Sequence, residues 1–70
     1  NPAGNTLRGN TMEAGKLSVF DATGRLILEQ QIAAGNWSFD TQDWPKGLVY
    51  LKFDARSGTQ IRMPLVVQGD

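Results

Sequence analysis

An all-β sandwich or barrel is what this sequence predicts, on three observations. Eight glycines, Gly4, Gly9, Gly15, Gly24, Gly35, Gly47, Gly58 and Gly69, separate short segments rich in branched and aromatic residues, which is how turns space short strands. No segment keeps the three-four apolar spacing of an amphipathic helix over the roughly ten residues a helix needs, because Gly or Pro interrupts every candidate. Where apolar residues do recur, they alternate with polar ones, the period of a half-buried strand.

Taken in order, Thr6 to Met12 is β-compatible but carries Gly9 and only Leu7 and Met12 as strongly apolar residues; a short edge strand and irregular structure both fit. Lys16 to Phe20 alternates through Leu17 and Val19. Asp21-Ala22-Thr23-Gly24 then supplies a type I turn whose last residue can take positive φ and form a bulge, which predicts a hairpin. The returning strand, Arg25 to Ile32, is apolar on both faces at Leu26, Ile27 and Leu28, so parity alone does not say which side points inward unless a bulge resolves it. Asn36 to Asp40 sets Trp37 and Phe39 on one face, and Leu48 to Asp54 alternates Val49, Leu51 and Phe53 with Tyr50 and Lys52. Thr59 to Val67 places Ile61, Met63, Leu65 and Val67 on one face, and Pro64, lacking a backbone donor, predicts a sheet edge or a bulge there. The core expected from this parity is Leu17, Val19, Phe39, Val49, Leu51, Phe53, Ile61 and Leu65.

The seventy residues include seven Lys or Arg against seven Asp or Glu, no Cys, no His, and 40% hydrophobic residues, which reads as one domain spanning 1–70. Without His or Cys there is no Ser-His-Asp or Cys-His pair, no zinc finger and no thiol redox motif. Zero net charge with scattered signs gives no basic footprint for nucleic acid, and no apolar run approaches a bilayer span. A chain this short buries only roughly 60% of the surface it exposes when unfolded, which leaves little room for an enzyme cleft. The start, Asn1-Pro2-Ala3-Gly4-Asn5, lacks the charged and apolar regions of an export signal and reads as a seam with something upstream.

Few residues invite a chemical reading. Asp21, Asp40 and Asp43 offer oxygens for a hard cation, but their spacing matches no calcium loop, and Asp closes turns through its own side chain. A carboxylate pair for glycoside hydrolysis would need a cleft. Trp37, Trp44 and Tyr50 are what a carbohydrate-binding module would use for stacking; Trp37 shares parity with Phe39 and is better placed in the core. Trp44, in the loop before Pro45 and Gly47, either plugs an open end of the sandwich or faces a partner. Arg25 is an anion-binding candidate, with a solvated hairpin end as the simpler reading. No metal or cofactor is expected.

The residues together resemble the C-terminal sorting domain, type A, of the type IX (Por) secretion system. The resemblance runs through Asn1-Pro2-Ala3, then Leu17 to Arg25 with its Asp-x-x-Gly-Arg turn, Phe39-Asp40-Thr41, Trp44-Pro45-Lys46-Gly47-Leu48, and Leu65-Val66-Val67. It implies a small Ig-like antiparallel sandwich of about six to seven strands, following a passenger domain and carrying no chemistry of its own. It further implies an address read by the outer-membrane translocon, removal by a sortase-like peptidase, and delivery of the passenger through the periplasm of a Gram-negative bacterium to the cell surface or medium, with no direct membrane insertion. The recognition positions it implies are Asp21, Gly24 and Arg25 in the turn, Pro45 and Gly47 in the loop, and Leu65, Val66, Val67 and Gln68 in the terminal segment. A sugar-binding or adhesive Ig-like module is the alternative reading of the same sheet-building residues.

Overall fold

A computed structural model describes residues 6–67, and these form six strands and no helix: β1 (Thr6–Thr11), β2 (Gly15–Asp21), β3 (Leu26–Ile32), β4 (Gly35–Asp40), β5 (Gly47–Ala55) and β6 (Gln60–Val67). They divide into a four-stranded antiparallel sheet, ordered β3-β2-β5-β6, and a two-stranded antiparallel sheet, β1-β4. The arrangement is consistent with a small Ig-like sandwich. Asn1-Pro2-Ala3 and Gln68-Gly69-Asp70 lie outside the described residues. No helix among the described residues is long and apolar enough to cross a membrane.

Alternation sets the inner face. Leu17 and Val19 of β2 stand opposite Phe53 and Leu51 of β5, and all four are buried together with Val49, Ala55, Ile32, Trp44 and Val67. The two central strands thus hold the core between them, as the sequence parity requires. Leu7, Trp37 and Phe39 pack onto it from the smaller sheet and Leu65 from β6, so Phe39 and Leu65 border the core and are half-buried. One expected core residue is not there. Ile61 keeps the predicted inward parity opposite Phe53, yet it is 49% exposed, as is its neighbour Met63 at 52%. Parity fixes which face a residue occupies but not whether a second layer covers it, and the Ile61–Met63 part of β6 is left open while Leu65 and Val67 are covered.

The ambiguous run at Leu26–Leu28 is resolved by a bulge. Leu28 pairs with Val19 but Leu26 with Phe20, so Ile27 is the extra residue; it packs on the core while Leu26 turns outward. Pro64 lies in β6, an edge strand in regular register opposite Tyr50, which leaves its missing donor facing away from the ladder. Gly9, at first sight a weak spot in β1, stands directly opposite Trp37. A Cβ there would collide with the indole ring, so Gly9 is the gap in β1 that lets Trp37 lie flat across the strand.

The loops at one end are tied by side chains. Glu13 accepts from the Ser57 N–H at 2.9 Å and pairs with the Ser57 hydroxyl at 3.1 Å, and the Arg56 N–H donates to the Ala14 carbonyl at 2.9 Å. This joins the β1–β2 connection to the β5–β6 hairpin and leaves the other end of the sheet to the segments described next.

Candidate functional site

The Asp21–Arg25 turn is held by one carboxylate oxygen. Asp21 Oδ1 accepts from the Thr23 N–H (2.9 Å), the Thr23 hydroxyl (2.6 Å) and the Arg25 N–H (2.9 Å), while the Gly24 N–H donates to the Asp21 carbonyl at 3.0 Å. The Thr23 hydroxyl, then the Arg25 N–H, hold the Asp21 carboxyl below its ordinary value of 3.8. Gly24 takes φ +93° at the turn's close, a conformation that L side chains avoid. Arg25 contributes its backbone to the turn at both N–H and carbonyl, and its side chain stays exposed.

The second segment is the loop into β5. Its anchor is Trp44, buried at 7% exposure and part of the core, with its N–H donating to the carbonyl of buried Thr41 at 3.0 Å. Trp44 is therefore the plug of the sandwich end, and it presents no face for stacking on a sugar. Pro45 and Lys46 remain exposed, and Gly47, at φ +102°, turns the chain into the strand. Asp40 caps the preceding bend by accepting from the Gln42 N–H at 2.9 Å. Asp21 and Asp40 thus do what Asp does in turns, and among the described residues no group of three or more His, Cys, Asp or Glu could hold a metal ion.

Strand register brings these pieces together. Asp21 stands opposite Val49, and Val49 opposite Leu65; Gly47 pairs with Val67 and Leu48 with Val66. The turn, the loop and the last three residues of β6, some twenty residues apart along the chain, share one end of the four-stranded sheet. Leu65 is half-buried, Val67 buried and Val66 63% exposed, so Val66 is the member of that trio that a partner can touch. Gln68 lies outside the described residues.

The outer face of the sheet is divided along the strand direction. Towards the shared end, Leu26, Phe20, Tyr50 and Pro64 form a row across all four strands, and Leu48 and Val66 form a second row behind it. Leu26, Leu48, Tyr50 and Val66 are each more than two-fifths exposed. Towards the other end the same face is polar: Lys16 pairs with Glu29 at 3.5 Å and Lys52 with Asp54 at 3.8 Å, with Arg62 and Gln60 alongside. A shallow depression of about 390 Å³ marks the boundary, between Phe20 and Tyr50 on one side and Lys52 and Arg62 on the other. Contiguous exposed apolar surface on a small domain marks an interaction face. Sequence reading named Val66 as a recognition position and Tyr50 as a stacking candidate but gave Leu26 and Leu48 no contact role of their own; the signal was there in the apolar residues out of phase with the core.

Two kinds of comparison find nothing: no curated protein matches the chain and no solved structure matches it. A family model does match, over residues 1–68, and its description is "Secretion system C-terminal sorting domain".

Proposed function

We propose a function from the premise that the chain belongs to the type IX secretion C-terminal sorting domain family, whose model spans nearly all of it. A domain of this family directs export to the cell surface or the medium through the type IX machinery. In our reading the export surface is the shared end of the four-stranded sheet. The Asp21–Arg25 turn and the Pro45–Gly47 loop frame it, Leu65, Val66 and Val67 end its terminal strand with Gln68 the next recognition position along the sequence, and the exposed apolar rows through Leu26 and Tyr50 and through Leu48 and Val66 supply the contact area. The observation that carries this is the register, which gathers the family-like segments of the turn, the loop and β6 beside a contiguous exposed apolar surface.

In this reading the residues of the surface divide by role. Asp21, Gly24, Pro45 and Gly47 shape backbone, whereas Arg25 and Val66 present side chains to a partner. Among the described residues β6 is an edge strand, and its outward backbone groups, interrupted at Pro64, offer a row on which a translocon strand can build. The domain performs no chemistry of its own; it carries an upstream passenger from the periplasm of a Gram-negative bacterium across the outer membrane, and a sortase-like peptidase then removes it. Of the three aromatics the adhesive alternative would use, Trp44 is buried and Trp37 packs inward, which leaves it Tyr50 alone as an exposed ring.

The test is transfer of sorting. Residues 1–70 fused behind a reporter with its own inner-membrane export signal, in a bacterium possessing this system, should send the reporter to the cell surface or medium, and removing residues 65–70 should trap it in the periplasm. A reporter held in the periplasm by the intact, folded domain would overturn the proposal.

A further inference from the structure

The two sheets are unequal, four strands against two among the described residues, and the inward residues left exposed on the two outer strands of the larger sheet differ in chemistry. On the β3 side the inward row runs Leu28, Gln30, Ile32, and its exposed member is polar. On the β6 side the exposed inward residues are Ile61 and Met63. Together with Leu7 and Gly9 of β1, Phe53 and the Trp37 ring, they line an open groove of about 220 Å³ between the sheets. Two buried side-chain polar atoms have no hydrogen-bond partner among the described residues, Thr11 Oγ1 and Trp37 Nε1; both residues line this groove. Leaving such atoms unpaired costs the desolvation of each group with nothing gained in return. Arg8 is the one charged residue along the groove and makes no ion pair among the described residues.

From these features we infer that β1 accepts a further strand, supplied by another protein as an extended peptide that alternates apolar with acidic residues. The apolar side chains close over Ile61 and Met63, and the acidic ones, on the wet side, meet Arg8. Backbone carbonyls arriving beside β1 offer acceptors for the polar atoms that have no partner among the described residues. The edge is assigned by geometry. A strand added to β6 would widen the larger sheet and leave Ile61 and Met63 open, whereas one added to β1 lengthens the short sheet over them. The segment preceding β1, Asn1-Pro2-Ala3-Gly4-Asn5, contains no large apolar side chain to fill the groove. This site is separate from the export surface and does not depend on it.

The probe is a capped peptide alternating valine and glutamate, about seven residues long, which spans β1 at roughly 3.3 Å per residue. Titrated into the seventy-residue chain, it should shift the amide resonances of Leu7 to Thr11 and the methyls of Ile61 and Met63 saturably. A valine–lysine peptide should bind about tenfold or more weaker, and Arg8→Glu should reverse that preference. Met63→Glu, at a half-exposed position that leaves the melting curve in place, should weaken the valine–glutamate peptide about tenfold or more. No saturable shift, equal binding of both peptides, or shifts confined to the β6 edge with β1 amides unmoved would overturn the inference.

Discussion

Truncating Phe53 to Ala separates a covered inner-face position from an uncovered one more cleanly than any other single change. Phe53 is 8% exposed on central strand β5, between Leu17 of β2 and Ile61 of β6. Removing its ring forfeits most of a buried phenyl group's transfer free energy, roughly 1.5–3 kcal/mol, and leaves a cavity, for a total on the order of 3–5 kcal/mol. The ring borders the open groove, so water enters part of the vacated space and the lower end, about 3 kcal/mol, is expected. Ile61, on the same face and directly opposite, is half exposed, and Ile61→Ala should cost about 1 kcal/mol. A domain of this length has roughly 3.5–10 kcal/mol in total, so the first variant loses from about a third to most of it and the second from about a tenth to a third. Urea titration followed by circular dichroism reads both. A Phe53→Ala loss below about 1 kcal/mol, or equal losses at the two positions, would refute the inner-face assignment and the incomplete cover over β6.

Three further outcomes are expected. Gly24→Val, forced to φ +93°, should lower the melting temperature, whereas Arg25→Ala should leave it nearly unchanged because the turn uses only that residue's backbone; equal losses would make the Arg25 side chain a structural anchor. Any side chain at Gly9 collides with Trp37, so Gly9→Val should displace the indole and quench or shift its fluorescence, while an unaltered spectrum and melting curve would contradict that packing. Because the folded-state pKa of Asp21 lies below 3.8, its ionised form adds stability that is complete above the ordinary carboxylate range and is lost as pH falls through it towards the folded value; Asp21→Asn should flatten that part of the pH–stability curve, and an unchanged slope would mean the turn does not depend on the charge.

Much of the fold was legible because it follows from local chemistry. Alternation located Lys16 to Phe20, Leu48 to Asp54 and Thr59 to Val67 within a residue or so of β2, β5 and β6, Pro64 narrowed its site to an edge or a bulge, of which β6 is the edge, and Asp21 with Gly24 announced the turn. Long-range facts were not legible. Parity put Ile61 on the inner face but carried no information about how far the second sheet reaches, and Gly9 looked like a flaw until its cross-strand partner was known to be Trp37. Trp44 fitted either a plug or a contact, since a loop aromatic has no periodicity to read. The site residues were named one by one from a motif, and only the register of β2, β5 and β6 brings them to one end of the sheet; the rows through Leu26 and Leu48 exist only once that register is set.

Export by a variant that keeps the fold but alters the proposed surface is the most direct measurement of the central claim. Val66 is 63% exposed and Leu48, beside it, 41%, so Leu48→Asp with Val66→Asp changes the surface at positions where little buried contact is lost. Fused behind the periplasm-directed reporter, this double variant should melt near the parent domain yet leave the reporter in the periplasm, while a matched pair at the polar end of the same face, Gln60→Asp with Lys16→Asp, should be exported at the parent level. Export of the Leu48→Asp, Val66→Asp fusion at the parent level would contradict the assignment of that end of the sheet as the surface that the type IX machinery reads.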